Sequence, residues 1–287
     1  MKQLVPIALT LLAGCSQPTP EATGPVTRIE IGKNAVATAG SPVASTPASN
    51  SPCEQAMFEG VTLTHCLADP AKQRITTALG PKGGAPYRSF AALAAGLGDR
   101  AKTVAFAMNG GMFGEDGRPI GYYVENDARL KTLNRANGGG NFHLKPNGVF
   151  FGSGAKWQVL DSDAFFKNVG DRPAFGTQSG PMLVIAGKLH PQFATEGPSK
   201  LIRNGVGVDA AGCAHFVISQ APISFGKFAR YFRDMLKTPN ALYLDGTVSA
   251  LWDPAASRQD AGVPLGPLLV VETIAKTGVE NREPPHG

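Results

Sequence analysis

The sequence predicts an α+β fold: a large mixed or antiparallel β-sheet core with a few packed helices, in a single domain. Many short apolar runs are separated by turn sequences, such as residues 115–119, 152–154 and 209–212. Only two segments carry clear helix signals. A doubly wound parallel sheet needs a helix after most strands, and the gaps between these runs are too short for that.

The strand predictions rest on apolar or alternating runs bounded by glycine, proline, asparagine and aspartate. The predicted strands cover residues 61–67, 73–79, 103–108, 120–124, 148–151, 157–160, 182–186, 205–209, 214–219, 241–244 and 268–273.

Two serines mark the predicted helix starts. Ser89 is the expected N-cap of a helix over 90–95, which Gly96 would end. Ser224 is the expected N-cap of a second helix over 225–237, whose aromatic residues fall on one stripe. That spacing is typical of a helix packed on the core, and nothing in it favours a cofactor site.

The first fifteen residues have the pattern of a lipoprotein signal peptide. Lys2 is followed by a short apolar run over 4–12 and by the lipobox-like sequence Leu-Ala-Gly-Cys, so Cys15 would be lipidated. The alternative is an uncleaved anchor helix, but the run is far shorter than the roughly 20 residues that span a bilayer. We therefore expect a cell-envelope protein anchored to the membrane, on the outer-membrane or periplasmic side in a Gram-negative host.

Composition divides the rest of the chain. Residues 16–52 are rich in Pro, Ser, Thr, Ala and Gly with few large apolar side chains, so we expect a flexible tether. Residues 53–280 are long enough for one domain with its own core. Residues 281–287 are expected to be a disordered tail.

Three of the four cysteines remain after lipidation of Cys15. In an exported protein, Cys53 and Cys66 are well spaced to form a disulfide across an N-terminal hairpin, because 61–67 alternates like a strand. Two free buried thiols are the alternative. Cys213 is left over, and no partner histidine marks it as a nucleophile.

The charge balance argues against a nucleic-acid partner. The formal net charge is +5, but the lysines and arginines are scattered, with no run of five or six. A modest positive excess suits anionic substrates or anionic envelope surfaces.

Three polar motifs lie at the ends of predicted strands. Asn109-Gly110-Gly111 follows the strand at 103–108, and glycine at such a point permits close approach of a ligand to the backbone. Arg203 and Asp245 are similarly placed in later motifs. A bare backbone beside asparagine is typical of sites for anionic or sugar-like ligands.

The order of six motifs, at 109–113, 140–142, 146–150, 178–183, 203–207 and 244–246, resembles the phosphodiester glycosidase domain family. The resemblance extends from about residue 53 to about residue 267, and it is strongest to the bacterial lipoprotein branch of the family. It implies the same fold class and the hydrolysis of a sugar-1-phosphodiester in an envelope glycan or glycolipid. It leaves the particular substrate open.

The resemblance assigns the chemistry to three residues. Asp245 would be the catalytic carboxylate, acting as acid, base or nucleophile at an anomeric carbon; a turn aspartate that accepts backbone N–H bonds is the alternative. Arg203 and Asn109 would contact the phosphate, for which a guanidinium fork is well suited. A solvated arginine at a strand end is the alternative for Arg203.

The remaining candidates for substrate binding lie in glycine-rich loops. They are Gly110, Gly111, Asn141, His143, Asn147, Ser179 and Gly180. The three glycines would donate backbone N–H groups to an oxyanion, and the two asparagines would bind sugar hydroxyls. Ser179 marks a second close backbone approach, and His143 is an open candidate between the asparagines.

Other signatures are absent from the sequence. It has no P-loop, no nucleophile elbow and no His-Glu-x-x-His motif. Glycosidases usually need two carboxylates, and only Asp245 is well placed. Either Glu125 joins it in three dimensions, or the phosphodiester leaves as a stable anion without acid catalysis.

Two alternatives keep the same site. In one, Asp245 and asparagine oxygens hold a divalent cation and the attack is on phosphorus. In the other, the protein binds a glycan without turnover. No cofactor is firmly implied, and a divalent cation is the one option kept open.

Overall fold

The computed structural model describes residues 51–274. The predicted signal peptide, the lipidation site Cys15, nearly all of the predicted tether and the predicted tail lie outside the described residues, and those assignments stay predictions. No helix within 51–274 is long and apolar enough to cross a membrane.

The described residues contain nineteen strands and three α-helices. The strands are β1 (Cys53–Phe58), β2 (Val61–Ala68), β3 (Gln73–Ala78), β4 (Val104–Asn109), β5 (Tyr123–Glu125), β6 (Ala128–Lys131), β7 (Gly148–Ser153), β8 (Lys156–Asp161), β9 (Phe175–Ser179), β10 (Met182–Ile185), β11 (Lys188–Leu189), β12 (Lys200–Leu201), β13 (Asn204–Val208), β14 (Ala214–Ser219), β15 (Ile223–Ser224), β16 (Asn240–Asp245), β17 (Leu251–Asp253), β18 (Arg258–Gln259) and β19 (Leu268–Thr273). The helices are α1 (Phe90–Leu97), α2 (Ser162–Asn168) and α3 (Phe225–Arg230). Short 3₁₀ turns cover Gly98–Thr103, Asn141–His143 and Pro254–Ala256, and a π-helical turn covers Tyr231–Met235.

The strands form three large sheets, in all of which neighbouring strands are antiparallel. Sheet I has seven strands in the order β1-β2-β14-β13-β16-β10-β11; sheet II has five, β18-β17-β4-β19-β3; and sheet III has five, β6-β5-β9-β7-β8. A two-stranded ribbon joins β12 to β15. The predicted α+β class, with antiparallel sheets and packed helices, is confirmed.

Aromatic side chains join the three sheets in one core. Phe216 of sheet I packs edge-on against Phe106 of sheet II and Phe150 of sheet III, with ring centroids 5.2 and 5.7 Å apart. Phe150 in turn packs against Phe175 at 5.3 Å. Each such pair contributes about 0.5–1.5 kcal/mol beyond the buried area. This junction packs the three sheets against one another.

The two predicted helix starts are confirmed, but the predicted ends are wrong. Ser89 Oγ accepts the Ala92 N–H at 3.1 Å, and Ser224 Oγ accepts the Lys227 N–H at 3.2 Å. Helix α1 runs through Gly96, which lies tight against the Tyr87 ring, and ends before a glycine with φ of 56° at position 98. Helix α3 ends at Arg230, where the π-helical turn continues.

The predicted disulfide is confirmed. Cys53 and Cys66 face each other in the β1–β2 ladder and are joined by an S–S bond. Cys213 is free and partly buried, and burial raises the pKa of its thiol. A thiol with a raised pKa is a poor nucleophile.

Two histidines stack between neighbouring strands of sheet I. His65 on β2 and His215 on β14 have ring centroids 5.1 Å apart, and His65 Nε2 lies 2.9 Å from His215 Nδ1. Asp209 Oδ2 lies 3.1 Å from His215 Nε2. Burial, followed by the nearby charge of His215, lowers the pKa of His65.

Candidate functional site

Three strand ends from sheets I and II converge on Asn204. A register shift in the β13–β16 ladder sets Asn204 opposite Asp245. Asn204 Oδ1 accepts the Asp245 N–H at 2.9 Å, and its Nδ2 donates to Asn109 Oδ1 at 2.9 Å and to the Asn109 carbonyl at 3.1 Å. Asn204 was not among the predicted site residues, although it directly follows Arg203 in one of the motifs. It is the residue that holds Asn109 and Asp245 together.

The Asp245 carboxylate has one restrained oxygen and one open oxygen. Its Oδ1 accepts N–H bonds from Gly246 at 2.6 Å, Thr247 at 2.9 Å and Val248 at 3.3 Å. Within residues 51–274, no group donates a hydrogen bond to Oδ2. The side chain is 7% exposed. Burial raises the pKa of the Asp245 carboxyl, and the three N–H groups act against that shift.

This arrangement combines both interpretations of Asp245. It is a turn aspartate that accepts backbone N–H bonds through Oδ1, and its second carboxylate oxygen has no donor among residues 51–274. A carboxylate fixed by three amides has a defined orientation before any ligand binds. Its assigned role as catalytic group stays a prediction.

Asn109 is committed to the protein rather than available for phosphate. Its Nδ2 donates to the Val248 carbonyl at 2.6 Å, and its Oδ1 accepts from the Ala250 N–H at 2.8 Å and from Asn204. The side chain is 1% exposed. The structure therefore corrects the predicted phosphate contact: Asn109 fixes the turn that follows Asp245.

Arg203 is neither a solvated arginine nor a free guanidinium fork. It is fully buried and donates to the Ile223 carbonyl at 2.8 Å, the Tyr243 hydroxyl at 3.1 Å and Ser199 at 3.0 Å. Its guanidinium carbon lies 3.6 Å from the centre of the Phe225 ring. Burial lowers its pKa. Because these partners hold the side chain, the predicted phosphate contact is not available in this arrangement.

Arg203 nevertheless supports the Asp245 turn from below. A Cβ added to Gly246 would lie 3.5 Å from Arg203 Nη1 and would collide with the Tyr243 hydroxyl. The Arg203–Tyr243 pair therefore forms the floor of the turn, and Gly246 must lack a side chain there. Arg203 is a positioning residue for Asp245.

The predicted oxyanion nest at Gly110 and Gly111 is not formed. The Gly110 N–H donates to the Pro267 carbonyl at 2.7 Å, and the Gly111 N–H donates to Thr177 Oγ1 at 3.0 Å. A side chain on Gly111 would collide with the Gln178 carbonyl. The close backbone approach expected at these glycines is present, but it is made to the protein itself: Gly110 bonds Pro267, and Gly111 lies against strand β9.

Ser179 and Gly180 connect this region to the glycine-rich loop. Ser179 Oγ donates to the Leu244 carbonyl at 2.6 Å, one residue before Asp245. A Cβ added to Gly180 would lie 2.6 Å from Asn147 Cβ and 2.8 Å from the Phe142 carbonyl. The structure thus brings the predicted residues into one continuous region.

The three candidates in the glycine-rich loop differ in availability. Asn147 is 1% exposed and donates to the Phe142 carbonyl at 2.9 Å, so it shapes the loop and does not reach a sugar. Asn141 and His143 are only partly buried. His143 Nδ1 lies 3.2 Å from the Ala136 carbonyl. Sugar binding by Asn141 and His143 stays a prediction.

Glu125 does not join Asp245. In the antiparallel ladder of β5 and β9, Val124 pairs with Gly176. Glu125 therefore lies four residues along the sheet from Ser179, the residue that bonds the backbone next to Asp245, which is a distance of ~13 Å. Its Oε2 accepts from the Leu79 N–H at 3.0 Å and the Tyr123 hydroxyl at 3.1 Å. Among residues 51–274, Asp245 is the one carboxylate in the hydrogen-bond network where β4, β13 and β16 converge.

The residues present do not fit the divalent-cation alternative. The Asn109 and Asn204 side-chain oxygens already accept N–H bonds, and so does Asp245 Oδ1. Among residues 51–274, no group of three or more His, Cys, Asp or Glu side chains could hold a metal ion. One open carboxylate oxygen is too small a donor set for Mg²⁺ or Ca²⁺.

Comparisons with known proteins agree with this fold. The family model for phosphodiester glycosidase matches residues 102–271. The uncharacterized protein YigE of Escherichia coli (strain K12) is 35% identical over 192 residues, which cover 67% of this chain and 74% of that protein.

A solved structure has a similar fold. The catalytic domain of zebrafish N-acetylglucosamine-1-phosphodiester alpha-N-acetylglucosaminidase, auto-inhibited by its pro-peptide, matches with a TM-score of 0.52 and 15% sequence identity. The match covers 78% of this chain and 85% of that chain. At this identity, the similarity establishes a common fold.

Proposed function

Because the chain belongs to the phosphodiester glycosidase family, we propose that it hydrolyses the bond between a sugar's anomeric carbon and a phosphodiester. The proposed substrate is an envelope glycan or glycolipid. The observation that carries the proposal is the Asp245 carboxylate, which three backbone N–H groups fix through one oxygen while the other oxygen stays open.

In the proposed reaction, Asp245 Oδ2 acts at the anomeric carbon as a nucleophile, or as a base that takes a proton from the attacking water. Burial raises the pKa of this carboxyl, which makes it a stronger base than a solvated aspartate. The bond from the anomeric carbon to the phosphate oxygen breaks, and a phosphate monoester leaves with the bonding electrons as a stable anion. Water supplies the new anomeric hydroxyl, either directly or by hydrolysing the sugar ester formed when Asp245 is the nucleophile. A leaving group of this kind needs no proton from a second carboxyl, which accords with the single carboxylate at this site.

The proposal is tested by hydrolysis of a defined sugar 1-(methyl phosphodiester) in ¹⁸O-labelled water. We expect the label in the released sugar and none in the methyl phosphate. Label in the phosphate product would mean attack on phosphorus and would overturn the proposed bond cleavage.

Asp245→Asn should lower turnover by about 100-fold or more while substrate binding changes little. Asp99→Asn is the matched control, because Asp99 is an exposed carboxylate whose partner is Lys102. An Asp245→Asn variant with normal turnover per folded molecule would return Asp245 to a purely structural role.

A second candidate function is glycan binding without turnover. It is favoured by the hydrogen bonds of Asn109 and Arg203, which are all made to the protein. Neither of these two side chains is therefore free to contact a phosphate beside Asp245. Glycan binding by wild-type protein, measured by calorimetry, with no hydrolysis across a panel of sugar 1-phosphodiesters would establish this alternative in place of the enzyme.

We also propose that the protein is exported and held in the cell envelope by a lipid on Cys15. The lipobox-like sequence ending at Cys15 supports this assignment. Cys15→Ser should release the protein from membranes or leave its precursor uncleaved, and Cys213→Ser should do neither. Unchanged detergent partitioning of Cys15→Ser would overturn the anchor.

A further inference from the structure

A basic groove lies on sheet III beside helix α2 and edge strand β6. It encloses about 490 Å³, and the proposed reaction does not use it. We call it the arginine groove and define it by Tyr122, Arg129, Arg135, Phe165, Phe166 and Arg172. It combines three guanidinium groups with an aromatic wall.

The guanidinium groups of the groove are poorly neutralised. The Arg129 side chain has no hydrogen-bond or ion-pair partner among residues 51–274. The Arg172 guanidinium donates to the Asp127 carbonyl at 3.0 Å without forming an ion pair. Arg135 pairs with Asp163 at 3.0 Å. Asp171 is the one carboxylate in the lining. The groove therefore carries excess positive charge.

Tyr122 contributes a hydroxyl to the lining of the same groove. The residue is 5% exposed, and its ring packs edge-on against Phe165 with centroids 4.8 Å apart. Its hydroxyl has no hydrogen-bond partner within residues 51–274. Burial raises the pKa of Tyr122, and the positive charges of Arg129 and Arg172 act against that shift. A hydroxyl without a protein partner, in the same groove as two guanidinium groups without ion pairs, is a donor set for an anion.

The aromatic wall adds a surface for an attached group. Phe166 is 62% exposed, and the Arg135 guanidinium lies 4.5 Å from its ring centre. An exposed ring of this kind can cover the apolar face of a sugar. The groove thus suits an anion carried on a larger organic molecule.

The groove shares one lining residue with a second cavity that borders the glycine-rich loop. Arg135 also lines a second cavity, of about 300 Å³, together with Lys145 and Asn147. Asn147 lies against Gly180, next to the serine that bonds the backbone at Leu244. The groove is therefore adjacent to the glycine-rich loop.

We propose that the arginine groove binds a phosphate group of the substrate glycan other than the one released at Asp245. The substrate class is then a glycan that carries more than one phosphate. Phosphate binding in the groove rests on Tyr122 and the arginines, whereas the identity of the attached glycan rests on the proposed function.

The direct test is calorimetric titration of the protein with inorganic pyrophosphate at constant salt. Arg129→Gln combined with Arg172→Gln should weaken binding at least about tenfold, because it removes two charge-assisted donors. Lys156→Gln combined with Lys188→Gln is the matched control: it removes the same charge from two exposed residues at strand starts and should change binding less than about twofold.

Tyr122→Phe provides a second variant that preserves the ring packing. It should weaken pyrophosphate binding about threefold or more, because it removes a neutral hydrogen-bond donor. Near-ultraviolet circular dichroism checks that the fold is kept. Wild-type affinity in Tyr122→Phe would overturn the role of the hydroxyl.

Three outcomes would overturn the groove as a phosphate site. They are no saturable pyrophosphate binding by wild type, equal losses in the arginine variant and its control, and an arginine variant that loses only binding to phosphatidylglycerol vesicles. The last outcome would assign the groove to a membrane surface.

The phosphate site in the groove and the proposed function can be refuted independently of each other. Pyrophosphate binding does not require turnover, so an intact groove in a protein that hydrolyses nothing would refute the enzyme alone. In an active enzyme, the arginine variant should raise KM for a substrate with two phosphates and leave kcat and KM for a substrate with one phosphate unchanged. Equal effects on both substrates would contradict the inference.

Discussion

Arg203→Lys should destabilise the fold, because the guanidinium is committed to the protein's own acceptors. The buried side chain makes four hydrogen bonds, to Ile223, Tyr243 and twice to Ser199. A lysine ammonium has its three N–H donors on one nitrogen, which cannot reach the separate acceptors of Nε, Nη1 and Nη2 at once, so we expect about two of these acceptors to lose their donor. At about 1–3 kcal/mol for each buried unsatisfied group, the expected loss is about 2–6 kcal/mol.

Thermal unfolding followed by circular dichroism measures this loss. For a domain of about 150–250 residues, each kcal/mol lowers Tm by about 2–4 °C, so we expect a decrease of about 5–20 °C. The matched control is Arg233→Lys, in which the arginine forms a half-exposed pair with Asp234. The control should change stability by less than about 1 kcal/mol.

One result would refute the reasoning. If Arg203→Lys keeps Tm within about 2 °C of wild type and weakens phosphate binding, as expected for the loss of a charge-assisted contact worth about 1.5–3 kcal/mol, then the guanidinium holds a ligand. A large decrease in Tm with unchanged phosphate affinity per folded molecule confirms the structural role.

Gly246→Ala should lower Tm and activity together, because the added Cβ collides with the Tyr243 hydroxyl under the Asp245 turn; a stable, fully active variant would contradict the importance of this turn. Replacing Cys53 and Cys66 by alanine should cost about 3 kcal/mol in urea unfolding, given their sequence separation of 13. A loss below about 1 kcal/mol would show that the hairpin needs no covalent link. Burial lowers the pKa of His65 from 6.5, so between its folded pKa and 6.5 the unfolded chain binds more protons. Stability should therefore be fully present above pH 6.5 and fall on acidification through this window, and His65→Gln should flatten that part of the curve. Stability that rises on acidification there would contradict this sign.

The sequence by itself determined the fold class and the local signals. Residue alternation marked strands, because strands buried on one face repeat with a period of two. Ser89 and Ser224 marked helix starts, because an N-cap bonds an N–H only two or three residues away. Cys53 and Cys66 could be paired because one short hairpin brings them together. Eight strands were not predicted. They are short, polar or, like β6, fully exposed, and they form because neighbouring strands supply their backbone hydrogen-bond partners.

The tertiary structure alone decided what the motif residues do. A polar residue at a strand end has the same local pattern whether its partner is a ligand or a distant part of the protein. Asn109 bonds to residues 95 and 141 positions away, and Arg203 bonds to Tyr243 40 positions away. These contacts depend on how three sheets meet, which no local spacing encodes. For the same reason the role of Asn204, whose partners lie on other strands, could not be predicted. The tertiary contacts also decide that backbone N–H groups bond one oxygen of Asp245 and not the other.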